Sequence, residues 1–416
     1  MKIYKLILTL LHGEKAQVLL GQLIFSGTSF LTNILIAKQA GMGQFGIYAS
    51  VTLYAYLLLS ISNSLIISPF QVCQDSAQNK KQYCGVLLLF QLVIIIIMLL
   101  VTVLVLQFSF QSLNPFRAYT TEIILLLGGF LLQDFFRKMF LAVHETGKAL
   151  LTDVLSCMPQ LVWLTANSFA AETSLQTSLF IIGITYMPAV IYGLYAMPSF
   201  LIRVTHVRQF IHVHIREGKW LLLTSLLQWW SNNFLATASA FLLGTTALGA
   251  LRLAQTIFGM LNVFLQAFEN YALPRAATLY KQSAENMKSF IKKISRYNFL
   301  FLLPVLLAVC IFSKQFFMFF GETNYVQYAG VLQGMSVLYL IIISGFPLRI
   351  AIRVHVMNKD FFAAYMLSFV FSLITYKFFI QQWKLAGVVM ALGANQLLML
   401  AYWQWKLKRK NFVLWK

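Results

Sequence analysis

Apolar runs of about 20 residues recur along the whole chain, and the polar residues inside them fall at helical spacing. A helix of that length crosses a bilayer core. The pattern predicts twelve membrane-spanning helices, roughly at 17–37, 45–69, 84–107, 119–142, 150–170, 177–201, 218–243, 248–272, 297–319, 328–348, 361–380 and 386–405. The eighth span is the most informative. Its Arg252, Gln255, Gly259, Asn262, Gln266 and Glu269 recur at steps of 3, 4, 3, 4 and 3, which places them on one helical face. Polar groups are costly in lipid, so this face is expected to look into protein or into a watery cavity.

Three other spans carry similar faces. The first has Gln22, Ser26, Ser29 and Asn33; the seventh has Ser225, Gln228 and Asn232, with Asn233 and the pair Trp229-Trp230 alongside. The second has a paler version in Thr52 and Asn63, which align with Gln255 and Gln266 at an offset of 203. The candidate cavity residues are therefore Gln22, Ser29, Asn33, Asn63, Gln228, Trp229, Asn232, Arg252, Gln255, Asn262, Gln266 and Glu269. The competing reading for any one of them is a helix–helix hydrogen bond contributing about 1 kcal/mol.

The two halves echo each other. Gly41-x4-Gly46 recurs as Gly244-x4-Gly249, again at an offset of 203. Pro69 followed by Ser76-Ala77-Gln78-Asn79 matches Pro274 followed by Ser283-Ala284-Glu285-Asn286. Val143-His144-x3-Lys148 matches Val354-His355-x3-Lys359 at an offset of 211. The echoes predict a duplicated six-helix unit, 1–205 and 206–416, with parallel topology, a cavity between the halves and a basic linker at 202–217.

Composition agrees with this picture: 59% of residues are hydrophobic and 11% are charged. The net charge of +20 is distributed by topology, because 26 of the 32 Lys and Arg fall on the side that holds both termini. That asymmetry makes both termini cytoplasmic and leaves no need for a nucleic-acid partner. The N-terminus, with Lys2, Lys5 and Lys15, leads into an uncleaved first helix. His206, His212 and His214 belong to the basic linker, without acidic or cysteine partners for a metal. Cys73, Cys84, Cys157 and Cys310 lack metal or disulfide spacing, so neither a metal nor another cofactor is expected. No P-loop, GxSxG or HExxH pattern occurs, and the outer loops are short, so nothing points to an enzyme.

A charge at the bilayer centre costs at least about 3 kcal/mol, so each one in a span asks for a partner. Arg252 lies near the outer end of the eighth span; Glu269 lies near its inner end, within reach of Arg275. Asp134 precedes Arg137 and Lys138 by three and four residues, which permits an intrahelical ion pair. Lys138 finds its counterpart in Arg349, with Arg353 a turn further on. Arg137, Lys138, Arg275 and Arg349 form a candidate basic inner mouth; Asp134 and Glu269, the deep acids, are candidates for ion coupling.

Some of these stretches resemble a family. Ala40-Gly41-Met42-Gly43-Gln44-Phe45-Gly46-Ile47-Tyr48, its echo Leu248-Gly249-Ala250-Leu251-Arg252, the exit Leu273-Pro274-Arg275-Ala276-Ala277 and Phe320-Gly321-x3-Tyr325 are similar to Wzx-type polysaccharide flippases of the MATE-like (MOP) superfamily. The resemblance implies an all-α, twelve-helix protein with two lobes around a central cavity. It implies export of undecaprenyl-pyrophosphate-linked oligosaccharide across a bacterial inner membrane, for O-antigen (lipopolysaccharide), capsule or exopolysaccharide. The implied partners are lipid-linked oligosaccharide, membrane lipid, a polysaccharide polymerase and a chain-length regulator. Two departures stand out: Ala250-Leu251-Arg252 lacks the family's tyrosine, and the two extra helices of the lipid II flippase branch are missing, which sets the chain apart from that branch. The alternative is a MATE-type multidrug or cation antiporter working through Asp134 or Glu269. A membrane oligosaccharide polymerase fits less well, since it would want a larger outer loop.

Overall fold

The computed structural model describes residues 13–73, 80–108, 114–168, 174–197 and 204–414. Lys2 and Lys5 lie outside them. The described residues form thirteen principal helices and no strand. They are α1 (Glu14–Gln39), α2 (Gly41–Ser62), α3 (Lys80–Phe108), α4 (Thr120–Ala142), α5 (Thr146–Ser168), α6 (Leu175–Thr185) and α7 (Met187–Ala196) in the first half. The second half has α8 (Val204–Leu243), α9 (Thr245–Gln282), α10 (Ala284–Ile311), α11 (Ser313–Phe320), α12 (Ala329–Val354) and α13 (Asn358–Arg409). In hydrocarbon every backbone polar group must be satisfied within its own segment, and helices achieve this.

All twelve predicted spans fall on helices as far as their residues are described. The sixth is split into α6 and α7 by a break at Tyr186. The last two share α13, which bends back at Lys384, where φ is 49° and ψ is −129°. Nine described helices are long and apolar enough to cross a membrane. The chain is a multi-pass membrane protein. Two expected connections differ from prediction. The 202–217 linker is helical from Val204 and continues into α8, and the connection between the eighth and ninth predicted spans is helical too, broken only at Ser283. Basic composition suggested loops there, but helical periodicity carries on past the apolar core.

α3 shows how the sequence is sorted. Leu89, Leu92, Val93, Ile96, Ile97, Leu100 and Leu104 are exposed along one face. The two polar residues of its middle turn inward instead: Gln91 accepts from Ser62 (2.9 Å), and Thr102 meets the Tyr54 hydroxyl (2.9 Å). An apolar face outside and polar groups inside is the arrangement that lipid requires.

The chain makes two compact units: Met1–Ala40 with Ile47–Trp229, and Gly41–Gly46 with Trp230–Lys416. The first has its core around Ile66, Phe70, Leu87, Phe136, Met139 and Phe140. The second buries Phe258, Tyr325, Ile350 and Trp403. Both repeated hairpins turn on a glycine in the left-handed region, Gly41 at φ 72° and Gly244 at φ 88°, a conformation that other residues rarely adopt.

Candidate functional site

Each unit gathers most of its buried charge into one cluster between neighbouring helices. In the first unit α4 carries Gln133, Asp134, Arg137 and Lys138, and α5 brings Asp153 against them. Arg137 Nε donates to Asp153 Oδ2 (3.0 Å), and Gln133 donates to Asp153 Oδ1 (3.1 Å). Arg137 Nη2 reaches α1 and donates to Gln22 Oε1 (3.0 Å), while its guanidinium lies 4.8 Å above the Phe25 ring. Gln22 in turn donates to Ser26 (3.0 Å). Lys138 pairs with Asp134 at 2.8 Å, the predicted spacing of four. Sequence spacing thus placed Lys138 correctly, whereas Arg137 ignores Asp134 for an acid on the next helix.

Asp153 went unread in the sequence, where Asp134 and Glu269 stood as the deep acids; with 1% of its surface exposed it is buried as deeply as either. A signal was present. Asp153, Ser156 and Gln160 are spaced by three and four, the same pattern that marked the eighth span, and Gln160 bonds Thr32 on α1 (2.8 Å). Glu122, near the start of α4, is a further buried acid and accepts from Gln176 (2.6 Å).

In the second unit Glu269 of α9 is buried and clasped by two arginines of α12, Arg353 and Arg349, the latter at 3.3 Å. The expected partner Arg275 lies instead over the Phe290 ring, 6.0 Å from its centroid. Sequence proximity favoured Arg275, but α12 packs alongside α9 and brings in residues 80 and 84 positions away. Tyr365 of α13 lies within electrostatic reach of Glu269, Arg349 and Arg353. The arginine side chains remain about 40% exposed, at 42% and 40%, against 10% for Glu269.

The repeat relates the two clusters, with a corrected register. α4 and α12 end alike: Glu145 N–H bonds the Phe140 carbonyl, and Met357 N–H bonds that of Ile352. The preceding His144 and Val356 have φ of 62° and 54°. The geometric offset is thus 212 here, one more than the Val-His match suggested. Arg349 therefore corresponds to Arg137, rather than to Lys138. Tyr365 takes the place of Asp153. Both units retain the arginine, but its acid comes from α5 in the first and from α9 in the second.

The remaining candidates divide by exposure. Gln22, Gln228, Asn232, Asn262 and Gln266 are exposed, and Ser29, Asn33, Asn63 and Gln255 are half-buried. Arg252 Nη2 donates to Asn233 Oδ1 (3.2 Å), and Trp229 is buried. Asn262 lies beside the Tyr339 hydroxyl. Asn63 begins a π-helical turn, Asn63–Ile67, that extends α2. Beside that turn, His214 of α8 bonds the Leu65 carbonyl (2.9 Å) and the Tyr83 hydroxyl (2.7 Å). Pro69, which has no N–H, leaves that carbonyl without its usual helical donor. Burial holds the His214 imidazole below its usual value, against the opposing effect of the Leu65 bond. His206 and His212 have side chains outside the described set.

Helices of membrane length, two compact units and paired glycine hairpins make this a multi-helix membrane protein. No protein-family model and no curated protein matches the sequence. Solved structures do match the fold. The lipid II flippase MurJ in its inward closed conformation aligns with a TM-score of 0.71 at 12% identity, over 94% of this chain and 87% of that one. A multidrug-resistance MATE family transporter of the MOP superfamily, inward-facing, aligns at 0.66 with 14% identity, over 96% of each chain. A MOP superfamily transporter from Pyrococcus furiosus Vc1 (DSM3638) aligns at 0.56 with 14% identity, over 97% of each. The chain shares its fold with these structures. The likeness to MurJ is one of fold, although the sequence reading set this chain apart from the lipid II flippase branch.

Proposed function

We propose that this protein is a flippase that carries an anionic, lipid-linked saccharide across the cytoplasmic membrane by alternating access, its substrate being an undecaprenyl-pyrophosphate-linked repeat unit of a surface polysaccharide. The carrying observation is the balance of charge in the two clusters. In the first unit, Asp134 and Asp153 are matched by Lys138 and Arg137. In the second, one buried carboxylate faces two part-exposed arginines, leaving a positive surplus. A diphosphate is met by such a fork of guanidinium N–H donors, and an organic cation is repelled by it. The exposed amides Gln228, Asn232, Asn262 and Gln266 offer donors and acceptors to sugar hydroxyls. The 26-to-6 split of Lys and Arg supports cytoplasmic termini and hence a cytoplasmic opening for the basic ends.

A MATE-type antiporter shares the fold and is the rival. It would require a carboxylate available for exchange; Asp134, Asp153 and Glu269 are each held by an internal cation, which leaves Glu122, bonded to the Gln176 amide, as its candidate. The related transporter whose reversed binding-pocket polarity suggests a different function is a precedent for a change of cargo on this fold. Under our reading, the polymerase and chain-length regulator act on what is delivered outside. Deletion of the gene decides the matter. Accumulation of lipid-linked repeat units at the inner face with loss of surface polymer is expected. Unchanged polymer with altered drug sensitivity would replace this reading with the antiporter.

A further inference from the structure

The end of α13 builds a second surface, which the transport reading does not use. Lys410 and Phe412 both donate to the Leu407 carbonyl (3.0 Å each), with Asn411 at φ 55°. The chain thus turns back in a closed cap, and the buried Phe412 and Leu414 hold it there. The Phe412 ring packs on His355 (4.6 Å), His355 packs on Tyr280 (4.6 Å), and Lys288 Nζ lies 5.3 Å from the Phe412 centroid. These contacts join the end of α13 to the start of α10. Burial holds the His355 imidazole below its usual value; its bond to the Ala351 carbonyl opposes this, and the neighbouring Lys410 adds to it.

On the turn before, Trp405 is 46% exposed and bracketed by two cations. The Arg409 guanidinium lies 4.0 Å from its ring centroid and Lys406 Nζ 5.3 Å, with Tyr402 5.9 Å away. Lys406 is neutralised by Asp360 (2.7 Å) and Lys288 by Glu285 (2.8 Å). Lys408, Arg409 and Lys410 are exposed and form no ion pair among the described residues. Tryptophan and tyrosine favour the membrane–water boundary, which sets these cations at headgroup depth. A guanidinium stacked on an indole keeps its N–H edge free for a phosphate.

We infer that this surface binds the phosphate of an acidic phospholipid, with Lys408, Arg409 and Lys410 as donors and Trp405 as the platform that orients Arg409. General attraction to an anionic leaflet asks only for charge. Here the capped turn and the bracketed ring hold the charges in one place.

The full chain, purified in detergent, is titrated with dioleoylphosphatidylglycerol or dioleoylphosphatidylcholine, and bound lipid is counted by native mass spectrometry. The wild type is expected to prefer phosphatidylglycerol, less strongly at high salt. The triple variant K408Q/R409Q/K410Q is expected to lose that affinity by about a hundredfold, with an unchanged melting temperature before lipid is added. K408R/K410R keeps the preference. K281Q/K293Q/R296Q removes the same charge from α9 and α10 and leaves the preference intact. Equal binding of the two lipids by the wild type, or a preference retained by the first triple variant, overturns the inference. An equal loss in the second triple variant does so too, since it reveals a diffuse charge effect. Capture of a polyglutamate peptide without lipid preference would make the surface a protein-docking site instead.

Discussion

Gly46 and Gly249 make the same contact from opposite ends of the repeat. A Cβ on Gly46 would meet the Thr245 carbonyl oxygen at 1.8 Å; one on Gly249 would meet that of Met42 at 2.5 Å. At the offset of 203, Thr245 is the counterpart of Met42, so the contact is reciprocal. Both lie within the second compact unit, which includes Gly41–Gly46. Backbone cannot yield as a side-chain tip can. Gly46→Ala is therefore expected to destabilise the protein by roughly 1–3 kcal/mol and to lower its melting temperature in detergent. Gly43→Ala, whose nearest neighbour would be Thr246 Oγ1 at 3.7 Å, should melt like wild type. Equal melting of the two variants would remove the close approach as the reason for these glycines.

Arg137 and Asp153 form a buried pair, so breaking it from one side should be worse than removing both. Arg137→Gln leaves an unpaired buried carboxylate and is expected to cost roughly 3–5 kcal/mol. The double variant Arg137→Gln/Asp153→Asn should recover much of that loss. A thermal-melt double-mutant cycle reads the coupling, and additive losses would count against the pair as drawn.

Glu269 has two arginines, which changes the expectation. Arg353→Gln alone should be mild, because Arg349 remains at 3.3 Å. The double variant Arg349→Gln/Arg353→Gln should exceed the sum of the singles in melting temperature and should abolish export. Glu269→Gln, which frees both arginines, should reduce export less than the double arginine variant. Export is measured as surface polysaccharide in a complemented deletion strain. A harmless double arginine variant would remove the anion site from the proposed function.

His214 titrates as a buried base. Its folded-state value lies below the ordinary 6.5, so the native state binds fewer protons than the unfolded one. The neutral ring's contribution is present above the ordinary value and is lost as pH falls below it. Melting temperature should therefore drop between about pH 7 and pH 5, and His214→Gln should flatten part of that slope. His355 shifts in the same direction, so the double variant with His355→Gln should flatten it further. An unchanged slope in both variants would separate the pH response from these histidines.

Much of the architecture was legible in the sequence. Hydropathy placed its twelve predicted spans on helices, nine of the described ones long and apolar enough to cross, because a bilayer admits only segments that satisfy their own backbone. The repeated glycines marked both hairpins because a left-handed turn and a close backbone approach each exclude a side chain. The site was legible only in part. Lys138 with Asp134 followed from a spacing of four, a relation internal to one helix. The short Val-His match placed the second repeat one residue out of register, and cap geometry was needed to align Arg349 with Arg137.

The sequence by itself determined which segments are helical and apolar enough to enter a membrane, where they turn and which faces are too polar for lipid, since each depends on local periodicity and on the solvent the helix must meet. Only the tertiary structure decided which acid neutralises which arginine. Asp153 reaches Arg137 across 16 residues and Glu269 reaches Arg353 across 84, through the packing of one helix against another. Buried charges take the partner that is nearest in space, and nearness between helices is written in no single segment.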